Sequence, residues 1–231
     1  MMVMEVEGFT ATLRAAVYKT SARMGFEVDE EKMQKILLYG DELQKWNKAY
    51  NLVGRKLGSE GLASLYVDAI SPLCVRGLFD GRKEVLDIGS GAGLPGIALY
   101  LMVGPFPLTL VEAQRKKITF LRHVCRKLEL DEIRLYPGRL EEMIKEEDHL
   151  NAYEVGLARA VMDPLRLIRV ARPLLCEGGR MVVFVGKADA ERIRKASLDM
   201  NEKGLRLEAI KSTQRIVGKE NYLAVIEKAG H

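Results

Sequence analysis

The chain has 231 residues, 48% hydrophobic and 29% charged, which suits a globular protein with one sizeable domain and a small appendage. Its 36 basic and 32 acidic side chains leave a net charge of +4, too mild to demand a nucleic-acid partner, so the placement of charge matters more than its sum. No apolar run reaches the ~20 residues that span a bilayer, and the first residues, with Glu5 and Glu7, lack the apolar core of a secretory signal, so a cytoplasmic protein is expected.

Up to about residue 82 the pattern is helical. Met33, Ile36, Leu37, Leu43 and Trp46 recur at spacings of three and four and predict a helix over about 30–48. Leu62, Leu65, Tyr66 and Ala69 continue that spacing in a second segment, after a loop marked by Gly54 and Gly58, and Pro72 opens a further helical turn. From residue 82 short apolar runs appear at 84–88, 107–112, 132–136, 153–158, 180–185, 205–211 and 222–227. Helical patterns separate most of them, at Leu94–Met102, Arg115–Leu128, Leu140–Glu146, Pro164–Leu175 and Ala190–Glu202. Strands alternating with helices imply a mostly parallel sheet with helices on both faces. The last two strands have no helix between them and are expected to pair antiparallel at one edge. The expected architecture is α/β: a seven-stranded Rossmann-like S-adenosylmethionine methyltransferase fold over 82–231, preceded by an N-terminal helical extension over 1–81.

Cys74, Cys125 and Cys176 stand about fifty residues apart with no CxxC pair, which predicts buried free thiols rather than disulfides. His123, His149 and His231 are equally scattered, so no metal site is expected.

The chemistry concentrates where the strand Val85-Leu86-Asp87-Ile88 runs into Gly89-Ser90-Gly91-Ala92-Gly93-Leu94-Pro95-Gly96. Glycines let the backbone turn sharply and approach a ligand closely, and open α/β sheets bind ligands at the carboxyl ends of their strands. Two cofactors compete for the loop. Gly91 to Gly96 formally satisfies the dinucleotide fingerprint GxGxxG, which would make the chain a nicotinamide-dependent oxidoreductase. Asp87 argues against it, because a carboxylate repels a pyrophosphate but attracts the ammonium of S-adenosylmethionine. Glu112, about 25 residues on at the end of the second strand, can accept ribose hydroxyls of either cofactor. Asp87 discriminates, in favour of the methyl donor.

Residues 113–128 hold six Lys or Arg and no acid. On a helix, Arg115, Arg122 and Arg126 share one flank, and Lys116, His123 and Lys127 the other. Taken alone, this segment fits a solvated outer helix better than a phosphate-binding face. Arg166, Arg169 and Arg172 form a second basic row with the same ambiguity.

Several segments together carry a family resemblance. Trp46-Asn47-Lys48-Ala49-Tyr50-Asn51-Leu52, the loop from Asp87 to Ile97, Lys116-Lys117-Ile118-Thr119-Phe120-Leu121-Arg122, Gly138-Arg139-Leu140-Glu141-Glu142 and Arg159-Ala160 occur in family-like order and spacing. Over about residues 35–228 the chain resembles the glucose-inhibited division protein B family, methyltransferases that modify nitrogen-7 of a guanosine in 16S ribosomal RNA. The resemblance implies S-adenosylmethionine as cofactor, held by Asp87, Gly89, Gly91, Gly93, Leu94, Glu112, Leu140, Glu141 and Arg159, with Leu140-Glu141 at the adenine. Arg159 is the candidate catalytic residue, facing the crevice where donor and RNA meet, with a salt bridge to Asp163 or Asp87 as its structural alternative. Lys116, Arg122 and Arg139 are candidate RNA contacts. The implied partner is 16S ribosomal RNA or the small ribosomal subunit, met by a monomer with no membrane role.

The chain departs from the family at four places. Leu65 replaces a histidine while Asp68 is retained, Val53 replaces a threonine, Val185 a lysine, and Asn221-Tyr222 an Arg-Tyr pair. These positions are expected on the RNA side. Around the fourth strand the sequence reads Leu157-Ala158-Arg159-Ala160-Val161 rather than the Asn/Asp-Pro-Pro-aromatic run of exocyclic-amine methyltransferases. No cysteine has the surroundings of a nucleophile for pyrimidine C5. Nitrogen-7 of guanine presents an in-plane lone pair, and its methylation needs positioning rather than a base. A small-molecule methyltransferase with the same donor site is the alternative.

Overall fold

A computed structural model describes residues 2–54, 57–79 and 83–230. Three helices come first: α1 (Met2–Met24), α2 (Glu30–Tyr50) and α3 (Ser59–Ala69). Asp29 starts α2 by accepting the Lys32 amide at 2.8 Å, Glu30 and Glu31 favour its positive end, and Asn51 in the left-handed region closes it. A short turn over Ser71–Cys74 follows, with Pro72 at its start. Helix α1 adds to what the periodicity singles out. Its buried hydrophobic residues Phe9, Leu13 and Val17 fall four apart, a narrow stripe masked by apolar residues such as Ala11, Ala15 and Tyr18 on its other faces.

The remaining elements alternate: β1 (Val85–Ile88), α4 (Gly96–Val103), β2 (Leu108–Val111), α5 (Arg115–Lys127), β3 (Ile133–Tyr136), the single turn α6 (Leu140–Met143), β4 (Tyr153–Arg159), α7 (Pro164–Ala171), β5 (Leu175–Val185), α8 (Lys187–Lys195), α9 (Ser197–Glu202), β6 (Leu205–Ser212), the single turn α10 (Gln214–Val217) and β7 (Tyr222–Lys228). Among the described residues seven strands form one sheet in the order β3-β2-β1-β4-β5-β7-β6. Pairing is parallel from β3 to β5, and β7 runs antiparallel to both its neighbours. Several boundaries differ from expectation: α6 ends at Met143 rather than Glu146, and β5 begins at Leu175 rather than 180. Helix α4 begins at Gly96 rather than Leu94, because the glycine turn extends through Pro95. The helix expected to Leu175 stops at Ala171, before a turn that contains Pro173, which lacks an N–H to continue the ladder. The helix expected over 190–202 divides at Ala196 into α8 and α9.

Side chains alternate across the sheet and feed two cores. On one face Val85, Leu108, Leu110, Val155 and Leu157 pack against α4 and α5, and Phe9, Leu13, Met33 and Ile36 of the first helices join the same cluster. On the other, Leu86, Ile88, Val183 and Ile226 meet Leu140, Met143, Leu167, Ile168 and Ile193. All four residues of β1 are therefore buried, as in a parallel strand covered on both faces. The domain boundary expected at 81/82 lies outside the described residues. Leu13 sits at the tight crossing of α1 and α2, where a Cβ on Gly40 would stand 2.5 Å from Leu13 Cδ2. Leu13→Ala is expected to cost about 2–5 kcal/mol in urea unfolding; a loss well under 1 kcal/mol would mean that α1 is dispensable to the core.

The three cysteines are free but only partly buried, a correction to the expectation of full burial. What burial they have pushes each thiol up, that of Cys125 to about 12, so none is poised as a nucleophile. The strand order reverses between β1 and β4, and the loops after these strands diverge to leave a crevice at their carboxyl ends.

Candidate active site

Two crevices open at this end of the sheet, separated by a ridge over Ala160–Met162 that lines both. The first has a volume of about 270 Å³ and is walled by Ile88 and Gly89 after β1, Val111, Glu112 and Gln114 after β2, and Gly138, Arg139, Leu140 and Glu141 after β3. Gly89 has φ +65°, and a Cβ there would lie 2.7 Å from Val161 Cγ2, so glycine alone fits between strand and ridge. Glu112 is 6% exposed and pinned on both oxygens: Oε1 accepts the Gln114 amide at 2.8 Å and Oε2 the Gly91 amide at 3.0 Å. Each oxygen keeps a second lone pair, so the carboxylate is held rigid and can still accept hydroxyls. Lys117 stands 3.8 Å away.

Of the residues expected to hold the cofactor, Gly89, Glu112, Leu140 and Glu141 come together on this wall. Arg139, expected at RNA, stands with them. Asp87, Gly93 and Leu94 are buried beside it, and Gly91 is partly exposed. The side chain of Leu94 is 3% exposed and packs into the core beneath the loop. Gly91 and Gly93 supply the left-handed turn, with φ +61° and +86°. Asp87 is fully buried, and its Oδ2 accepts the Gly96 amide at 2.8 Å. Among the described residues its Oδ1 has no hydrogen-bond partner. Burial pushes this carboxyl up to about 7, opposed by the Gly96 amide and Arg159 and reinforced by Glu112.

The second crevice, about 330 Å³, lies between α3, β4, β5 and the start of β7. Arg159, expected on the cofactor wall, lines this second crevice. The guanidinium is 16% exposed, with Nη1 3.7 Å from Asp68 Oδ2. Asn221 donates its side-chain amide to Asp68 Oδ1 at 3.1 Å. Burial lowers the Arg159 pKa, and the charges of Asp68 and Asp87 raise it again. Arg159 thus pairs with Asp68 and faces Asp87 at longer range. Asp163 is not its partner; it caps α7 through the Arg166 amide at 3.0 Å and binds Arg192 at 2.7 Å. Of the four departures, Val185 and Asn221 line this second crevice and Leu65 and Val53 do not. Periodicity and motif spacing missed the ridge residues Val161 and Met162 and the wall residues Gln114 and Gly138. Their signal was position alone, directly after strand ends.

The two flanks of α5 have different fates. Lys116 donates to the Tyr50 carbonyl at 3.3 Å, and His123 and Lys127 each reach Glu42 at 2.7 Å, so that flank is spent on α2. Arg115, Arg122 and Arg126 are exposed, and among the described residues none of them makes an ion pair. In the second basic row, Arg166 lies 3.6 Å from Glu141, Arg169 bonds the Leu165 carbonyl, and Arg172 packs beside Gly204. That row is engaged by its own protein.

A rigid carboxylate, a close backbone approach and a small apolar wall suit an adenosine-type ligand in the first crevice. The second is lined by no His or Cys and by two carboxylates already engaged, Asp68 by Arg159 and Asp189 by Arg192 at 2.7 Å. Such a site can orient a reactant.

The family model of rRNA small subunit methyltransferase G matches residues 32–220. Among curated relatives, the ribosomal RNA small subunit methyltransferase G of Chloroflexus aggregans is 33% identical over 187 residues, 81% of this chain and 78% of its own. That of Alkaliphilus metalliredigens is 30% identical over 174 residues, 75% of this chain and 72% of its own. Among solved structures, the ribosomal protein L11 methylase of Lactobacillus delbrueckii subsp. bulgaricus has a TM-score of 0.53 at 15% identity, covering 72% of this chain and 77% of its own. That last likeness is one of fold.

Proposed function

The chain belongs to the rRNA small subunit methyltransferase G family, and on that premise we propose how its two crevices divide the family's reaction. That reaction is transfer of a methyl group from S-adenosylmethionine to nitrogen-7 of a guanosine in 16S ribosomal RNA. The observation that carries the division is the shared Ala160–Met162 ridge, with a nucleoside-sized cradle on one side and a polar crevice on the other.

The first crevice fits the donor on three grounds. Gly89 leaves the close approach free, Glu112 keeps lone pairs for two ribose hydroxyls, and Asp87 Oδ1 is a buried acceptor in need of a donor. When bound, S-adenosylmethionine supplies an electrophilic methyl on a sulfonium sulfur. Leu140 and Glu141 flank the adenine end, and Asp87 answers the amino-acid end from beneath the loop. The finer assignment of the sheet, to the methyltransferase variant of the Rossmann-like fold, follows from this use.

The guanine enters from the second crevice and meets the methyl across the ridge. Its N7 lone pair attacks directly, so the protein's contribution is alignment. Arg159 is a positioning residue in this scheme. Its charge is offset by Asp68 and Asp87 and so does not oppose the positive charge that develops on the purine. The open flank of Arg115, Arg122 and Arg126, with Arg139 at the rim, holds RNA phosphates. The partner is the small ribosomal subunit or its RNA, met in the cytoplasm by a monomer. Among the described residues no helix is long and apolar enough to cross a membrane.

The test of the reaction is mass mapping of 16S ribosomal RNA from cells with and without the protein; unchanged 7-methylguanosine content would remove this reading. For the RNA face, Arg115, Arg122 and Arg126 changed together to Gln should flatten the dependence of log affinity on log salt by about 2–3. An unchanged slope would move the RNA to another face.

A further inference from the structure

We propose that Asp68 reads the target base: its carboxylate accepts the N1–H and the N2 amine of the guanine, selecting guanine and stabilising the cation that methylation creates. This rests on the functional reading above and names the residue that recognises the acceptor. Asp68 ends α3, where its side chain is 15% exposed at the wall of the second crevice. Both oxygens are held from the protein side, by Asn221 at 3.1 Å and Arg159 at 3.7 Å, and each retains a lone pair. Two anchors therefore fix the carboxylate as a rigid two-point acceptor. The other acid of this crevice, Asp189, bonds Arg192 on its own helix. Met162, Pro164, Phe184 and Val185 give the crevice apolar surface against which a flat base can lie.

The chemistry of guanine fits that direction. N7 lies on the major-groove edge and the N2 amine on the minor-groove edge. A base that aims N7 at the ridge therefore turns its N1–H and N2 amine to the far side of the crevice. Adenine offers a lone pair at N1 and no amine at C2, so the same carboxylate repels it. As the methyl transfers, the sulfonium is lost and positive charge spreads over the purine, which strengthens its N1–H as a donor. A carboxylate bonded there holds the transition state more tightly than the neutral base, and only such differential binding raises the rate. Arg159 stands beside the Asp68 carboxylate as its counter-charge. Asn221, at one of the family's departures, becomes the second anchor.

The test uses the full chain and small ribosomal subunits from cells lacking the protein. Asp68→Asn keeps the shape and the Asn221 and Arg159 neighbours but replaces one acceptor oxygen by an amide. Single-turnover methylation at saturating protein and donor should fall by about 100-fold or more, while the S-adenosylmethionine Kd measured by calorimetry stays within about twofold. Asp68→Glu, which keeps the charge on a longer arm, should fall between the two. It also serves as the second variant should Asp68→Asn fail to fold, with donor Kd reporting a formed first crevice. A variant that binds the donor and methylates within about threefold of the natural protein overturns the proposal. A natural protein that leaves guanosine N7 unmethylated overturns the functional reading instead, whatever Asp68→Asn does.

Discussion

Gly89→Ala is expected to lower kcat/KM for small-subunit RNA by at least about 100-fold. Two effects combine at this position. The φ of +65° costs an L-residue about 1–2 kcal/mol, and the new Cβ would sit 2.7 Å from Val161 Cγ2 and 3.0 Å from its Cγ1. Val161 is part of the ridge, so relieving the clash shifts the wall of both crevices at once. A misplacement of about 1 Å is enough for a hundredfold loss where alignment is the whole of catalysis. Calorimetry should show donor affinity falling along with turnover. Combining the change with Val161→Ala removes the clash and leaves the backbone strain, so the double variant should recover part of the loss. If Gly89→Ala alone turns over normally, the donor does not occupy this cradle.

Asp87→Asn is expected to weaken S-adenosylmethionine binding by tenfold or more (an order-of-magnitude figure for removing a charged acceptor from a buried pair), yet to stabilise the protein above neutral pH. The buried carboxyl titrates at about 7 in the folded protein, well above the ordinary carboxylate range. Between that range and about 7 the folded state binds a proton that the unfolded chain has lost. Stability therefore falls as pH rises through this window and stays lower above it. Asparagine removes the titration while keeping an oxygen for the Gly96 amide, so its melting temperature should exceed that of the natural protein at pH 8 and converge with it near pH 4. Donor binding runs the other way. The ammonium needs the ionised carboxylate, so affinity should rise about tenfold per pH unit toward 7, below the range where an α-amino group itself titrates. The Asn variant should show no such rise. Equal affinity of the two proteins at pH 8 would take Asp87 out of donor recognition.

The division of the chain into a helical start and an alternating remainder is legible because hydrophobic period is a local signal, and the strand that starts at Val85 is four buried residues running straight into glycines. The packing of Leu94 is less legible. Its place inside the glycine loop suggested contact with a ligand, whereas its apolar chain, 3% exposed, fills the floor of the loop. The expected partner of Arg159 is Asp163 or Asp87; its ion pair is with Asp68 on another element, with Asp87 at longer range. Asn221 and Asp68 are 153 positions apart, a separation that no periodicity spans. The left-handed conformation of Ala160, at φ +52° on the crest of the ridge, had no sequence signal, since nothing in the residue type asks for it.

The two crevices also differ in how their walls are spread along the chain. Every residue that lines the first lies between positions 88 and 162, whereas the second draws on positions from 68 to 221. Asn221 enters from the antiparallel end of the sheet, next to α10, whose Ile216 carbonyl is held by Arg23 of α1. Local opening of this outer corner would release the Asp68 anchor while the donor cradle stays standing. The protein can therefore hold its cofactor with its acceptor side loosened, and hydrogen exchange should find the Thr213–Asn221 amides opening at lower free energy than those of β1.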